Sequence, residues 1–148
     1  KIIAIYSDGT YEITGQEMTQ RFDAEKILLI ERYNPDAVIS AVYLDMEKLQ
    51  YNIKRFRIET STLNTPFLFI KEGKDNRLEA VSTDPAPVLK VTSGRGQQIR
   101  SAKFKVDKLV EVMGWKAVGS KLTDYAKSVE MEWEIKTPPD VQGALFND

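Results

Sequence analysis

Short apolar runs, each stopped by glycine, proline, aspartate or asparagine, decide what this chain can fold into. Ile2–Tyr6 and Thr10–Thr14 flank Ser7-Asp8-Gly9, and an Asp-Gly pair between alternating runs is a strong hairpin signal. Residues 15–25 are polar and read as a loop or a short helical turn. The dense apolar run Lys26–Tyr33 reads as a buried strand. Asn34-Pro35-Asp36 ends it with turn chemistry, and Ala37–Leu44 follows as another strand. Asp45–Lys48 then turns the chain into Gln50–Ile58.

The plan repeats. Phe67–Lys71 and Leu78–Ser82 flank Glu72-Gly73-Lys74-Asp75-Asn76, which reads as a longer hairpin loop. After Asp84-Pro85-Ala86-Pro87, Val88–Thr92 and Ile99–Val106 flank the glycine-bearing turn Ser93-Gly94-Arg95-Gly96-Gln97. A four-strand unit recurring at roughly 50 residues predicts an all-β fold of propeller-like or pinwheel-like blades. The expected division is a first blade over residues 1–65, a second over 66–128, and an acidic strand with a tail over 129–148.

Composition removes several function classes. The chain has 148 residues and is 42% hydrophobic, enough for one core or two small repeated units. It has no cysteine and no histidine. Disulfides, thiolate zinc sites and cysteine nucleophiles are therefore out, as are the commonest general base and most zinc or iron sites. No apolar run is long enough to span a bilayer, and no basic-then-apolar leader is present. These features fit a cytoplasmic protein. A start at Lys1 without methionine is expected of a piece of a longer chain.

Gln50–Ile58 places Lys54, Arg55 and Arg57 among Tyr51, Ile53, Phe56 and Ile58. On a strand, Lys54, Phe56 and Ile58 share one face, with Ile53, Arg55 and Arg57 on the other. Two readings fit. One is an edge strand whose cationic stems lie over the core with their heads in water. The other is a cationic sheet surface that contacts a polyanion. The net charge of −1 hides a strong asymmetry. Between Val88 and Lys127 stand nine cations and three anions, and the rest of the chain is acidic. Segregation of sign favours an anionic partner.

Other segments are less directive. Asp107–Met113 reads as a short helix or a strand. Gly114–Lys121 reads as a glycine-bounded loop, with Trp115 either packed in the core or held for a ligand. Val129, Met131, Trp133 and Ile135 alternate with Glu130, Glu132 and Glu134, giving a two-faced strand with an acidic outer side. That segment also reads as one able to dock reversibly over cationic surface. Residues 137–148 read as a frayed tail. A β-rich protein-interaction module, using edge strands or the apolar face around Trp133, is a second function class. A carboxylate hydrolase is a third, and a weak one, because Asp8, Asp36, Asp45, Asp75 and Asp84 all occupy turns where aspartate is ordinary. Glu130, Glu132 and Glu134 make a poor metal site, since side chains on one strand face diverge.

Three pieces in order resemble the C-terminal domain of the A subunit of bacterial type IIA topoisomerases, DNA gyrase and topoisomerase IV, and most of all the divergent topoisomerase IV-like forms. Ile5-Tyr6-Ser7-Asp8-Gly9-Thr10-Tyr11 is similar to that family's opening strand-turn-strand. Ala41-Val42-Tyr43 followed by Tyr51-Asn52-Ile53-Lys54-Arg55-Phe56 resembles its later hairpin, with a basic pair on the returning strand. Gly114-Trp115-Lys116-Ala117-Val118-Gly119-Ser120-Lys121-Leu122 resembles the connection that closes a blade. The likeness covers roughly residues 1–122.

The resemblance implies a β-pinwheel that binds and bends duplex DNA around its rim and presents it to a cleavage core elsewhere in the subunit. It implies no catalytic role for this segment and none for Tyr6, Tyr11, Tyr33, Tyr43, Tyr51 or Tyr125. It implies no cofactor or metal here, with ATP and magnesium held by other domains of an A2B2 assembly whose B subunit is the ATPase. The implied location is the cytoplasm, at the nucleoid. The glutamine-arginine-arginine-glycine-glycine-lysine-glycine box that gyrases need for wrapping is missing, and Gly94-Arg95-Gly96-Gln97 is only an echo of it. Support of relaxation and decatenation is therefore expected over negative supercoiling. The family ring has five or six blades and this chain has room for two or three, which implies a partial or open arc. The residues expected on DNA are Lys54, Arg55, Arg57, Arg95, Arg100, Lys103, Lys116 and Lys121.

Overall fold

The first hairpin forms where its turn predicts. Strand β1 (Ile2–Tyr6) pairs antiparallel with β2 (Thr10–Thr14), with Ile3 opposite Ile13 and Ile5 opposite Tyr11. Gly9 closes the turn at φ +87°, and a Cβ there would meet Ile70 at 2.3 Å. Only glycine fits both the backbone and the packing. This computed structural model describes residues 1–15 and 23–135. The tail expected over residues 137–148 and most of the polar loop after β2 lie outside them.

The chain continues with β3 (Ile27–Arg32), β4 (Ile39–Asp45), β5 (Gln50–Phe56), β6 (Phe67–Leu68), β7 (Arg77–Ser82), β8 (Val88–Ser93) and β9 (Arg100–Lys105). A single helical turn, α1 (Val106–Leu109), precedes β10 (Val112–Met113), β11 (Ser120–Asp124) and β12 (Glu130–Trp133). The fold is all-β, an open set of blade-like sheets without a closed barrel. The first sheet runs β3-β1-β2-β6. The second runs β7-β4-β5, with β10 and β11 both pairing β5, and the third runs β12-β8-β9.

The second sheet is the middle layer. Alternation along β4 sends Ile39, Ala41 and Tyr43 into a core shared with Ile3, Ile5, Tyr11 and Ile13 of the first sheet. It sends Val42 and Leu44 into a second core with Leu89 and Val91 of the third. A register shift between Val42 and Tyr43 sets Tyr43 opposite Leu78 and Val42 opposite Ala80. This lets both of those β7 residues be buried, one in each core. Burying a side chain the size of Leu78 contributes about 1.5–3 kcal/mol.

Three local expectations change. Phe67–Lys71 and Leu78–Ser82 do not form a hairpin with each other. β6 joins β2 on the first sheet and β7 joins β4 on the second, so the chain crosses between sheets over residues 69–76. Asn76 holds that crossing, accepting from Met46 N at 2.9 Å and donating to Lys71 O at 2.9 Å. β3 is not a buried strand. Among the described strands it pairs with β1 alone, at the sheet edge, and Leu28 and Ile30 are about half exposed. β5 is an interior strand with neighbours on both sides, so its cations have no edge from which to reach water.

Candidate nucleic-acid interface

That interior position decides the fate of the basic pair. Lys54 is 1% exposed. Its Nζ donates to Phe69 O at 2.5 Å and Trp115 O at 2.7 Å, and it lies 4.9 Å from the Phe56 ring centroid. Burial pushes its amine from 10.5 down to about 8. Arg55 is buried on the other face, its Nε donating to Ser40 Oγ at 3.2 Å and its Nη2 to Pro85 O at 3.1 Å. Both cations are consumed in holding the fold, and neither presents a charge to a partner. Side-chain alternation assigns them to faces correctly. It carries no signal that carbonyls from residues 69, 85 and 115 wait there.

The remaining expected cations reach the surface, but not as one patch. Arg57 is exposed beyond the end of β5, with only a long 3.4 Å contact from its Nε to Asp36 O. Arg95 is exposed in the β8–β9 turn and Arg100 at the start of β9. Lys116 is exposed, its Nζ 5.2 Å from the Trp115 ring centroid. The Trp115 indole itself is packed edge-on against Tyr11 and Phe67, with centroids 6.0 Å away in each case, so the core reading of that residue holds. Lys103 and Lys121 are exposed but paired, to Glu134 at 2.8 Å and Asp124 at 2.6 Å.

Register sorts these charges into two groups. Tyr125 N donates to Leu49 O at 2.9 Å and Gly94 N to Ser128 Oγ at 3.2 Å. These bonds bring the β4–β5 turn, the β8–β9 turn and the segment after β11 to one end of the molecule. Lys48, Arg95, Arg100 and Lys127 therefore share that end, all exposed and without an ion pair among the described residues. Arg57 stands at the other end of β5, about 20 Å away by strand rise. Lys105 and Lys108 lie at that same far end, because Lys105 pairs Val88 at the start of β8. Lys48, Lys105, Lys108 and Lys127 were not among the expected contacts, and only their register reveals them.

The acidic strand is part of the same surface. β12 pairs β8 with Glu132 opposite Lys90. Glu132 bridges Lys90 at 3.7 Å and Glu134 bridges Lys103 at 2.8 Å. Met131 and Trp133 point the other way, into the core between the second and third sheets. The outer face of the third sheet is thus a balanced cross-strand lattice, while the turn end keeps uncompensated positive charge. No group of acidic side chains able to hold a metal exists among the described residues. No described helix is long and apolar enough to cross a membrane.

A family model described as topoisomerase C-terminal domain, Bacteroidota, matches residues 1–132. No curated protein and no solved structure matches the chain.

Proposed function

Because this chain belongs to the topoisomerase C-terminal domain family of Bacteroidota, we propose that it binds and bends duplex DNA and presents it to a cleavage core outside this segment. The observation that carries the reading is the group Lys48, Arg95, Arg100 and Lys127, exposed at one end and free of ion pairs among the described residues. Each such cation that neutralises a phosphate releases counterions. The arginine forks suit phosphate oxygens, and contacts of this kind fix position while reading little sequence. Several together offset a bend of a short duplex, which costs of order 1–6 kcal/mol. Arg57 and Lys116 extend the surface. Lys103 and Lys121 join it only by giving up Glu134 and Asp124. The parent enzyme in this reading is an ATP-dependent type II topoisomerase of A2B2 form working at the nucleoid in the cytoplasm. Without the gyrase box, its activity is relaxation and decatenation.

The test is a duplex-binding titration across a salt series. Reversing charge at Lys48, Arg95, Arg100 and Lys127 together lowers the salt slope by about 3–4, at roughly 0.9 per phosphate contact. Reversing Arg57, Lys105 and Lys108 reads the opposite end. Unchanged affinity and slope in both variants, with the fold intact by circular dichroism, would overturn the assignment. Binding that is insensitive to salt and selective for a protein would favour the interaction-module reading.

A further inference from the structure

The first two sheets are closed by the same device. Each is built on a hairpin, and in each an antiparallel strand from later in the chain pairs with the outer edge of the hairpin's second strand, from its first residues. On β2 this strand is β6, with Thr10 opposite Leu68 and Tyr11 opposite Phe67. On β5 it is β11, with Gln50 opposite Asp124 and Tyr51 opposite Thr123. The third sheet has its hairpin, β8–β9, and its flanking strand, β12. No described strand occupies the outer edge of β9. The consequence shows in burial. Tyr11 and Tyr51 are 0% and 2% exposed, whereas Arg100, Ser101, Ala102 and Lys103 are all exposed.

We propose that the outer edge of β9, which no described strand occupies, accepts an extended antiparallel segment of a protein partner, acidic on one face and aromatic on the other. A strand edge with no described neighbour is a template for strand addition. The side chains set the chemistry. On the outer face of β9 stand Ser101, Lys103 and Lys105. Lys105 is exposed with no ion pair among the described residues, and Lys103 exchanges its bridge to Glu134 for a carboxylate of the partner. Ala102 and Phe104 border a cavity of about 340 Å³ that Val91 and Leu122 line with apolar surface and Arg100, Ser101 and Thr123 with polar groups at its mouth, room for an aromatic ring with a polar rim. The first sheet fills the equivalent region with Phe67 of its closing strand, stacked on Tyr11 at 5.6 Å, and in the second Tyr125, just after the closing strand, lies 6.0 Å from Tyr51. The third sheet already displays this preference at its other edge. β12 sets Glu130 and Glu132 outward and Met131 and Trp133 inward against β8. The proposal does not depend on DNA binding, although Arg100, Lys103 and Lys105 belong to both surfaces.

The experiment uses the full chain and a synthetic peptide with the sequence of residues 129–135, with hydrogen exchange read at each amide. At saturating peptide, the amides of Arg100–Lys105 slow at least tenfold. Lys103→Glu with Lys105→Glu weakens the peptide by about tenfold, as expected for two reversed cross-strand pairs. Lys105→Glu alone, at an exposed position with no ion pair among the described residues, weakens it less and guards against misfolding of the double variant. A control peptide with lysine in place of each glutamate leaves β9 unchanged. The proposal is overturned if β9 does not slow, if the control acts equally, or if β9 is already slow in the free chain. Slowing at β8 alone, or slowing of β9 by duplex DNA but not by peptide, overturns it too.

Discussion

Replacing Lys54 with methionine isolates the energetics of a buried cation that joins two sheets. In the wild type, the ammonium has left water for a site that offers two carbonyl oxygens and two aromatic rings. Burial lowers its pKa from 10.5 to about 8. The folded state therefore disfavours the charged form, and between those values the unfolded chain binds more protons. Stability must then rise with pH across that window. At 1.36 kcal/mol per unit, the gain is about 3 kcal/mol. Lys54→Met removes the titrating group and the gain with it. It also leaves Phe69 O and Trp115 O without their donor, at about 1–3 kcal/mol each. Near neutral pH that loss is comparable to the relief from burying a charge, so the absolute difference is small. The slope is what discriminates. Urea unfolding of both proteins from pH 7 to 10.5 reads it directly, and the phenols of Tyr11 and Tyr43, which burial holds above 10, cancel in the difference. A wild type that gains about 3 kcal/mol on the variant over that range supports the reasoning, and parallel curves refute it. Trp115 fluorescence shifts to the red in the variant, because the carbonyl that pins its loop is released.

Glu132→Gln with Glu134→Gln frees Lys90 and Lys103 from their bridges, so duplex affinity rises severalfold at low salt and the gain fades as salt increases. Gly119 sits at φ +92° with Ile53 O only 2.5 Å from where a Cβ would stand. Gly119→Ala is therefore expected to lower the unfolding free energy by more than about 1 kcal/mol, seen as an earlier denaturation midpoint. The Asp45 carboxyl is pushed up by burial. The backbone N–H groups of Lys48 and Glu47 and the Lys71 ammonium outweigh that, and hold it below the ordinary value of 3.8. Its contribution is present above that value and is lost as pH falls through the lower, folded one, so Asp45→Asn flattens the acid limb of a stability–pH curve.

What could be read from the sequence was local. Asp8-Gly9 marks the first turn, and the alternation of Glu130–Trp133 marks a two-faced strand, because turn chemistry and side-chain period are carried by adjacent residues. The partner of a strand is not. Phe67–Leu68 looks like half of the next hairpin until β2, far back in the chain, claims it. Lys26–Tyr33 is apolar enough for burial, yet its place at a sheet edge leaves Leu28 and Ile30 half in water. The basic segment around Arg95 and Arg100 was legible as exposed charge, whereas Lys54 and Arg55, expected at the surface, are buried. A charged side chain is a poor candidate for burial by type, and only the arrival of distant carbonyls makes it one. Lys48 and Lys127 joined the candidate surface because register brings two turns and the segment after β11 to the same end.

The late closing strands also govern the order in which such a chain is able to mature as it leaves a ribosome. The first sheet waits for residue 68 and the second for residue 124, so each hairpin spends part of synthesis with one flank bare. Nascent chain of this design gains its ordered state in overlapping instalments, and a stop between β9 and β11 would release a product with two sheets unfinished at once.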